Sequence, residues 1–447
     1  MLAALAAAAA AGCVLPDYEE SAPWALGLGG IDAEEAYAVA VDRSGGVILG
    51  GAFESYMRFD GENDAKGKPG GDGFVARYDG AGNPSWSFVF GAEEPEAVIS
   101  VAAAPDGGAF FLASIAATTE IAGQAVATAG SAGALLGRLG PAGGLAWARA
   151  FFDASGMYAL TAGAIAVDSG GDVLVTGNFA GDVDFGAAAF ANPTGYDAFV
   201  AKFSAFGEPR WALDLTSDGN MTGRGIAVDP EDNVVVTGAY EGTGHFEGTD
   251  VGGGGARSLY VVKLGSGGDL LWARGFPAGA TMEGLALATD AEGSVLVTGY
   301  GAGTEDLGGG PLEVTGELGG FALKLGPLGD HVWSRSLDGP DRDQGQAIAA
   351  DAAGRAVIGG TSGFTGDGSG MDVGGDGFLT LLDAADGAPL SSAVFGDASA
   401  QRVHGVALDG LDDVVLAGGF EGALALEPAT LQSKGLLDIF VTKLAHP

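Results

Sequence analysis

The chain has 447 residues, 58 of them acidic and 20 basic, giving a formal net charge of −38. A surface of that sign repels a phosphate backbone, which excludes a nucleic-acid partner. The 83 glycines and 17 prolines are roughly twice the usual share, yet 47 % of residues are hydrophobic, so the excess marks turns around a large core, not a disordered chain.

Met1-Leu2-Ala3-Ala4-Leu5 opens an alanine-rich run that ends Ala10-Ala11-Gly12-Cys13. An apolar run closing on small residues before a cysteine resembles the signal and lipobox of bacterial lipoproteins, in which cleavage precedes the cysteine and the cysteine is lipidated. The resemblance implies a signal peptide over 1–12, Cys13 as the lipidation site, and export as a membrane-anchored lipoprotein of the periplasm or cell surface. Ala10 stands where that family usually has leucine, and no Lys or Arg precedes the run, which points to a start codon upstream of Met1. Cys13 is the single cysteine, so once it is acylated the fold stands without disulfides. Residues 13–23 are the anchor and an acidic, proline-bounded tether with a reach of ~18 Å. Beyond the first dozen residues no apolar run of about 18 occurs, and no spanning helix is expected.

The body repeats. "AVAVDRSGGVILGG" at 38–51 returns as "AIAVDSGGDVLVTG" at 164–177 and "GIAVDPEDNVVVTG" at 225–238. Aligned on a turn aspartate, the anchors are Asp42, Ala104, Asp168, Asp229, Asp290, Asp351 and Asp409, spaced 58 to 64 residues apart. Trp24, Trp86, Trp147, Trp211, Trp272 and Trp333 follow the same period, with Ser391 in the seventh slot. Each period holds two hairpins of β-rich runs around tight Asp/Gly turns. Four short strands per unit, seven units and no helical periodicity predict an all-β, seven-bladed β-propeller over 24–447, a single domain. The chain ends on a third strand, "DIFVTKLAHP", and "PWALGL" at 23–28 is an orphan fourth strand. The N-terminal strand should therefore complete the last blade and close the ring, removing two free edges.

Features present in every unit are expected to serve the blade. The turn aspartate satisfies its own backbone, and the following glycine takes a positive φ. The tryptophans should pack between sheets. Arg77, Arg138, Lys202, Lys263, Lys324 and Lys443, with Leu381 as the exception, recur at one register of the third strand. They are expected to pair with acidic neighbours on a half-exposed strand.

"DGFVARYDGAGNPSW" (72–86), "DAFVAKFSAFGEPRW" (197–211) and "AVDPEDNVVVTG" (227–238) resemble the bacterial β-propeller repeat family of extracellular lipoproteins, and the match covers nearly all of 24–447. The resemblance implies secretion, a propeller and surface display, and carries no established chemistry. A weaker similarity to quinoprotein propellers fails in detail. Asp79 to Trp86 is one residue shorter than their tryptophan-docking motif, and no threonine precedes Gly82.

Propellers bind at loops around the channel mouth. Seven and eight residues before the turn anchors the sequence places Glu34, Glu35, Glu96, Glu283 and Asp343, a loose acidic ring and the candidate ligand- or partner-binding residues. The same registers also carry Leu160, Met221, Met282, Gln401 and Arg402. Converging carboxylates would take a cation or a basic peptide, and calcium is the one cofactor this reading admits. The alternative is that the charge keeps an exported protein soluble. Asp60–Asp64 spaces oxygen ligands like a calcium loop but has Ala65 where the turn glycine belongs. Tyr56, Met57, Arg58, Lys66 and Lys68 form the least repeat-like loop and read as a partner contact. Glycine-rich 366–377 opens no helix, and His245, His331, His404 and His446 lack metal-ligand spacing.

With no catalytic motif in sight, the expected function is a monomeric, membrane-anchored binding scaffold. It would present propeller-face loops to a protein or glycan partner. The alternative is an extracytoplasmic polysaccharide hydrolase or lyase working through channel-mouth carboxylates.

Overall fold

The computed structural model describes residues 22–445 except 60–63, 69, 117, 128–131, 254–255, 338–341, 364–373, 397–398 and 427. Cys13, the expected signal over 1–12, nearly all of the expected tether, His446, most of Asp60–Asp64 and most of 366–377 lie outside the described residues. Among the described residues every regular element is a β-strand.

The strands form consecutive antiparallel meanders, each built from the inside outwards. The first sheet is Glu34–Val41, Val47–Phe53, Asp72–Tyr78 and Pro84–Phe90, and the second is Ala97–Ala103, Ala109–Ile115, Gly133–Leu139 and Leu145–Phe151. The third starts with Thr161–Val167, Val173–Asp184, Ala189–Phe203 and Pro209–Ser217, and the fourth is Met221–Val228, Val234–Tyr240, Ser258–Leu264 and Leu270–Phe276. The fifth is Thr281–Thr289, Val295–Asp306, Pro311–Leu325 and His331–Leu337, and the sixth is Asp343–Ala350, Ala356–Ser362, Asp376–Leu382 and Pro389–Phe395. The closing sheet joins Gln401–Leu408, Val414–Phe420 and Asp438–Leu444 to the N-terminal strand Trp24–Leu28, in the register Trp24↔Lys443 to Leu28↔Ile439. Each innermost strand packs on those of its neighbours, and Glu34–Val41 packs on Gln401–Leu408, so the sheets stand radially around a channel: a β-propeller. Six of these sheets have four strands. The third has six, because the hairpin Gly244–Phe246/Thr249–Val251 adds to its outer strand through Thr216↔His245 and Ser217↔Gly244.

Position in the sheet explains the sequence of each strand. Second strands such as Val47–Phe53 and Val234–Tyr240 are sandwiched on both faces and are buried almost throughout, so they read as continuous apolar runs. Outer strands such as Pro84–Phe90 alternate between exposed and half-buried residues. The core lies between sheets. Phe151 of the second packs with Phe185 and Phe203 of the third, and Val235 of the fourth with Val295 and Leu323 of the fifth. Each such side chain contributes about 1.5–3 kcal/mol on burial.

Two repeated devices tie neighbouring sheets and hairpins. Each tryptophan indole donates to a carbonyl in the third-to-fourth-strand turn of the next sheet: Trp24 to Gly80 at 3.0 Å, Trp147 to Ala205 at 3.0 Å, Trp272 to Pro327 at 3.0 Å and Trp333 to Ala384 at 3.1 Å. The ring lies on that turn's positive-φ glycine, so that a Cβ at Gly207 would stand 2.9 Å from Trp147. Glycine is required there twice over, by φ and by space.

The second device corrects an expectation. The third-strand cations pair with acids as expected, and Arg77 and Arg138 are half-buried, but the four lysines are not on a half-exposed face. Lys202, Lys263, Lys324 and Lys443 are buried, and they reach the turn aspartates Asp168, Asp229, Asp290 and Asp409 at 2.7, 2.6, 2.9 and 2.5 Å. The two irregular units keep the pair by substitution. Where Ala104 replaces the turn aspartate, Arg138 takes Asp106 at 2.6 Å. Where Leu381 replaces the cation, Arg355 takes Asp351 at 2.5 Å.

Candidate functional site

Each of the innermost strands contains a register irregularity at one position, five residues before its turn anchor: between Ala36 and Ala38, Val98 and Ser100, Ala162 and Ala164, Gly223 and Gly225, Gly284 and Ala286, Gly345 and Ala347, and Val403 and Gly405. The extra residue is released from the ladder. Those residues, Tyr37, Ile99, Gly163, Arg224, Leu285, Gln346 and His404, line a channel of about 470 Å³ together with the two residues that follow each. Among the described residues the channel wall therefore carries one arginine, one histidine and no carboxylate. The acids expected at the mouth stand one layer further out, and each is accounted for by its own surroundings.

Glu35 and Glu283 bridge adjacent innermost strands in the same way. The Glu35 carboxylate lies 2.7 Å from His404 Nε2 and 3.7 Å from Arg402 Nη1, and His404 Nδ1 lies 2.8 Å from Gln346 Oε1. Glu283 accepts from Arg224 Nε at 2.9 Å, Arg257 Nη2 at 2.8 Å, the Tyr300 hydroxyl at 2.7 Å and the Thr222 hydroxyl at 3.1 Å. Burial pushes both carboxyls up, but the paired cations outweigh it. Glu35 is held below the usual range by His404, then Arg402 and the Tyr37 hydroxyl, and Glu283 by Arg224, Arg257 and Tyr300.

Glu34 and Glu96 are buried without a cation bonded to them. Glu34 Oε2 accepts from Gly30 N–H at 2.9 Å, and Glu96 Oε2 from Ala92 N–H at 3.1 Å. Glu34 Oε1 has no hydrogen-bond partner among the described residues, whereas Glu96 has the Thr119 hydroxyl beside it. Burial, with nearby acids, pushes the Glu34 carboxyl up to about 7 and raises Glu96. Asp343 is buried at another junction, where it lines a cavity of about 240 Å³ with Arg335, Ser362 and Phe378.

The structure brings two of the five together. Glu35 and Glu96 line one cleft of about 450 Å³ with Tyr37, Glu54, Pro95 and Leu437. Tyr37 is shared with the channel. Glu54 and Gly70 are shared with a groove of about 480 Å³ walled by Asp32, Ser55, Tyr56, Lys66 and Lys68. Channel mouth, cleft and groove thus adjoin one another along the first sheet, sharing wall residues. The groove wall is the irregular loop marked in the sequence, which folds as the hairpin Tyr56–Arg58/Asp64–Lys66. Tyr56 is about half exposed, with Lys66 Nζ 6.0 Å from its ring centroid. Glu34, Glu283 and Asp343 line none of these three spaces. Sequence reasoning missed Tyr37, Arg224, Gln346 and His404, whose one signal was a shared position five residues before the turn. Among the described residues no three His, Cys, Asp or Glu side chains are grouped as metal ligands.

No family model matches the chain. It is 25 % identical over 203 residues to an uncharacterised WD repeat-containing protein of Acanthamoeba polyphaga mimivirus, a match covering 37 % of this chain and only 14 % of that protein's length. Among solved structures it is similar to Sqt1 from Chaetomium thermophilum, with a TM-score of 0.46, 12 % identity and coverage of 95 % of this chain and 100 % of that one. It is also similar to BamB from Moraxella catarrhalis, with a TM-score of 0.36, 11 % identity and coverage of 91 % and 82 %.

Proposed function

We propose that the chain is a seven-bladed propeller that acts as a binding scaffold, held outside the cytoplasm by a lipid on Cys13. In this reading the third sheet counts as one blade extended by its neighbour's hairpin. The partner, a protein or a glycan at the membrane surface, docks on the first sheet's side of the channel mouth. The observation that carries this is the adjoining cleft and groove. Their residues depart from the repeat, expose Tyr56 and alternate acids with Lys66 and Lys68, whereas Glu35 and Glu283 are already paired with His404, Arg224 and Arg257. A rigid ring with one irregular, chemically mixed rim is suited to recognition. The test is crosslinking and affinity capture of the native protein from its own membranes, beside Tyr56→Ala/Lys66→Ala. The expected result is a stoichiometric partner lost in the variant with the thermal melt unchanged. Equal capture by both would refute the assignment to the groove.

A second reading, a polysaccharide hydrolase or lyase, draws on Glu96 and Glu35, two carboxyls pushed in opposite directions in one cleft. It requires turnover on a glycan panel that Glu96→Gln abolishes.

A further inference from the structure

The position eight residues before the turn anchor is one buried slot filled differently around the ring. It holds Leu160, Met221 and Met282 at three junctions and Gln401 at another, all 2 % exposed or less. Its backbone frame is constant. The slot residue's N–H donates across the junction, from Gln401 to Gly375 O at 2.9 Å, Met282 to Arg257 O at 2.9 Å, Leu160 to Ala132 O at 3.1 Å and Glu34 to Leu437 O at 2.7 Å. Gln401 pairs with Phe420 as Glu34 pairs with Phe53, and the next N–H returns in both, Glu421 to Ala400 O at 2.8 Å and Glu54 to Ala33 O at 3.2 Å.

Within that frame Gln401 shows what the slot asks of a polar side chain. Its Nε2 donates to the carbonyl of Glu421 at 2.9 Å. By the same register the Glu54 carbonyl is the counterpart of the Glu421 carbonyl, and the buried Glu34 Oε1 has no hydrogen-bond partner among the described residues. An ionised carboxylate only accepts, so it cannot take the role of that amide, whereas a protonated one can. The groups facing Glu34 argue the same way: Asp438 of the closing sheet, and Asp32 and Glu54 of its own, are all acids. Lys434 acts on Asp438, and no described Lys or Arg is paired with Glu34. The slot holds leucine, methionine or glutamine at four junctions and an acid at the three of Glu34, Glu96 and Asp343, so an acid facing only other acids there is best accommodated neutral.

We propose that Glu34 folds as a neutral carboxylic acid that donates its proton to the main-chain carbonyl of Glu54, making the junction where the two chain ends meet a latch that rising pH loosens. Glu96 occupies the same slot one sheet on, with Asp72, Lys68 and the Thr119 hydroxyl about it, and acts as a secondary site. The direction follows from linkage. The folded carboxyl sits at about 7 against 4.5 for the free group, so its stabilisation is complete below about 4.5 and is lost as pH rises through about 7.

The test compares the full chain with Glu34→Gln and Glu34→Met between pH 5 and pH 8. The wild type gains negative charge throughout that range, so the difference between proteins at each pH is what is read. At pH 8 both variants should melt a few degrees above wild type, and at pH 5 the gap should close or reverse. Infrared difference spectra at pH 5 should contain a protonated-carboxyl C=O band that Glu34→Gln removes. A gap that does not vary with pH, or a band unaffected by the substitution, overturns the proposal. A calcium-dependent rise in melting temperature at pH 8, absent from Glu34→Gln, would assign the slot to a cation and overturn it equally.

Discussion

The junction between the fourth and fifth sheets and the junction between the closing and first sheets share one design with different contents. In both, a carboxylate seven residues before the turn reaches back to a cationic or imidazole side chain on the preceding innermost strand: Glu283 to Arg224 in one, Glu35 to His404 in the other. In both, the residue just before that carboxylate enters the buried slot, Met282 in one and Glu34 in the other. The first junction buries an apolar side chain beside a doubly paired acid. The second buries one acid that is paired and one that is not. Two carboxyls adjacent in sequence thus titrate with opposite sign. Glu35, depressed, contributes stability above its unfolded value that is lost as pH falls, while Glu34, raised, contributes stability that is lost as pH rises. Neighbourhood, not residue type, sets the role.

The largest effect should come from making the junctions alike. Met282→Glu puts an unpaired carboxyl into the apolar slot and should cost about 3–5 kcal/mol at pH 8 in urea unfolding, and less at pH 5, where the new acid is neutral. A cost equal at both pH values would mean that bulk, not charge, decides the slot. Glu283→Gln comes next. It leaves Arg224 and Arg257 without their shared carboxylate, and because both guanidinium groups are partly open to solvent the loss should be about 2–3 kcal/mol. Glu35→Gln should cost about 1–2 kcal/mol at pH 7, and its cost should shrink as pH falls, the reverse of Glu34→Gln. If both glutamines moved stability in the same sense with pH, the contrast between the neighbours would fail.

What could be read from the sequence was whatever repeats through a local signal. The Asp–Gly turns, the tryptophan period and the orphan strand at Trp24 each announce themselves within a few residues. The antiparallel pairing Trp24↔Lys443 is what the missing fourth strand required. The cations of the third strand were found and their pairing foreseen, but the four lysines were misplaced, because burial depends on a turn some 35 residues away, as Lys202 and Asp168 show at 2.7 Å. The site was half legible. Glu35 and Glu96 line the cleft and the loop around Tyr56 walls the adjoining groove, but the five acids do not line one space. A bulge in every innermost strand breaks simple alternation, so Glu34 and Glu35 go to a slot and a bridge, while the released Tyr37 and His404 reach the channel. The 2-to-3 connections, such as Thr118–Ile121/Gln124–Ala127 and Ala423–Leu426/Ala429–Gln432, also fold as hairpins that were not foreseen, since their composition varies from unit to unit.

The central claim, that the slot occupant decides how a junction answers pH, is tested most directly by swapping the two side chains. Amide hydrogen exchange of wild type and of Glu34→Met/Met282→Glu, corrected for intrinsic rates, is to be compared at pH 5 and pH 8. In the wild type, protection should fall at pH 8 across Trp24–Leu28 and Glu34–Val41 and hold across Thr281–Thr289. In the swapped protein the loss should move to Thr281–Thr289. Protection at Trp24–Leu28 that is independent of pH in the wild type, or a loss that stays there after the swap, would contradict the account.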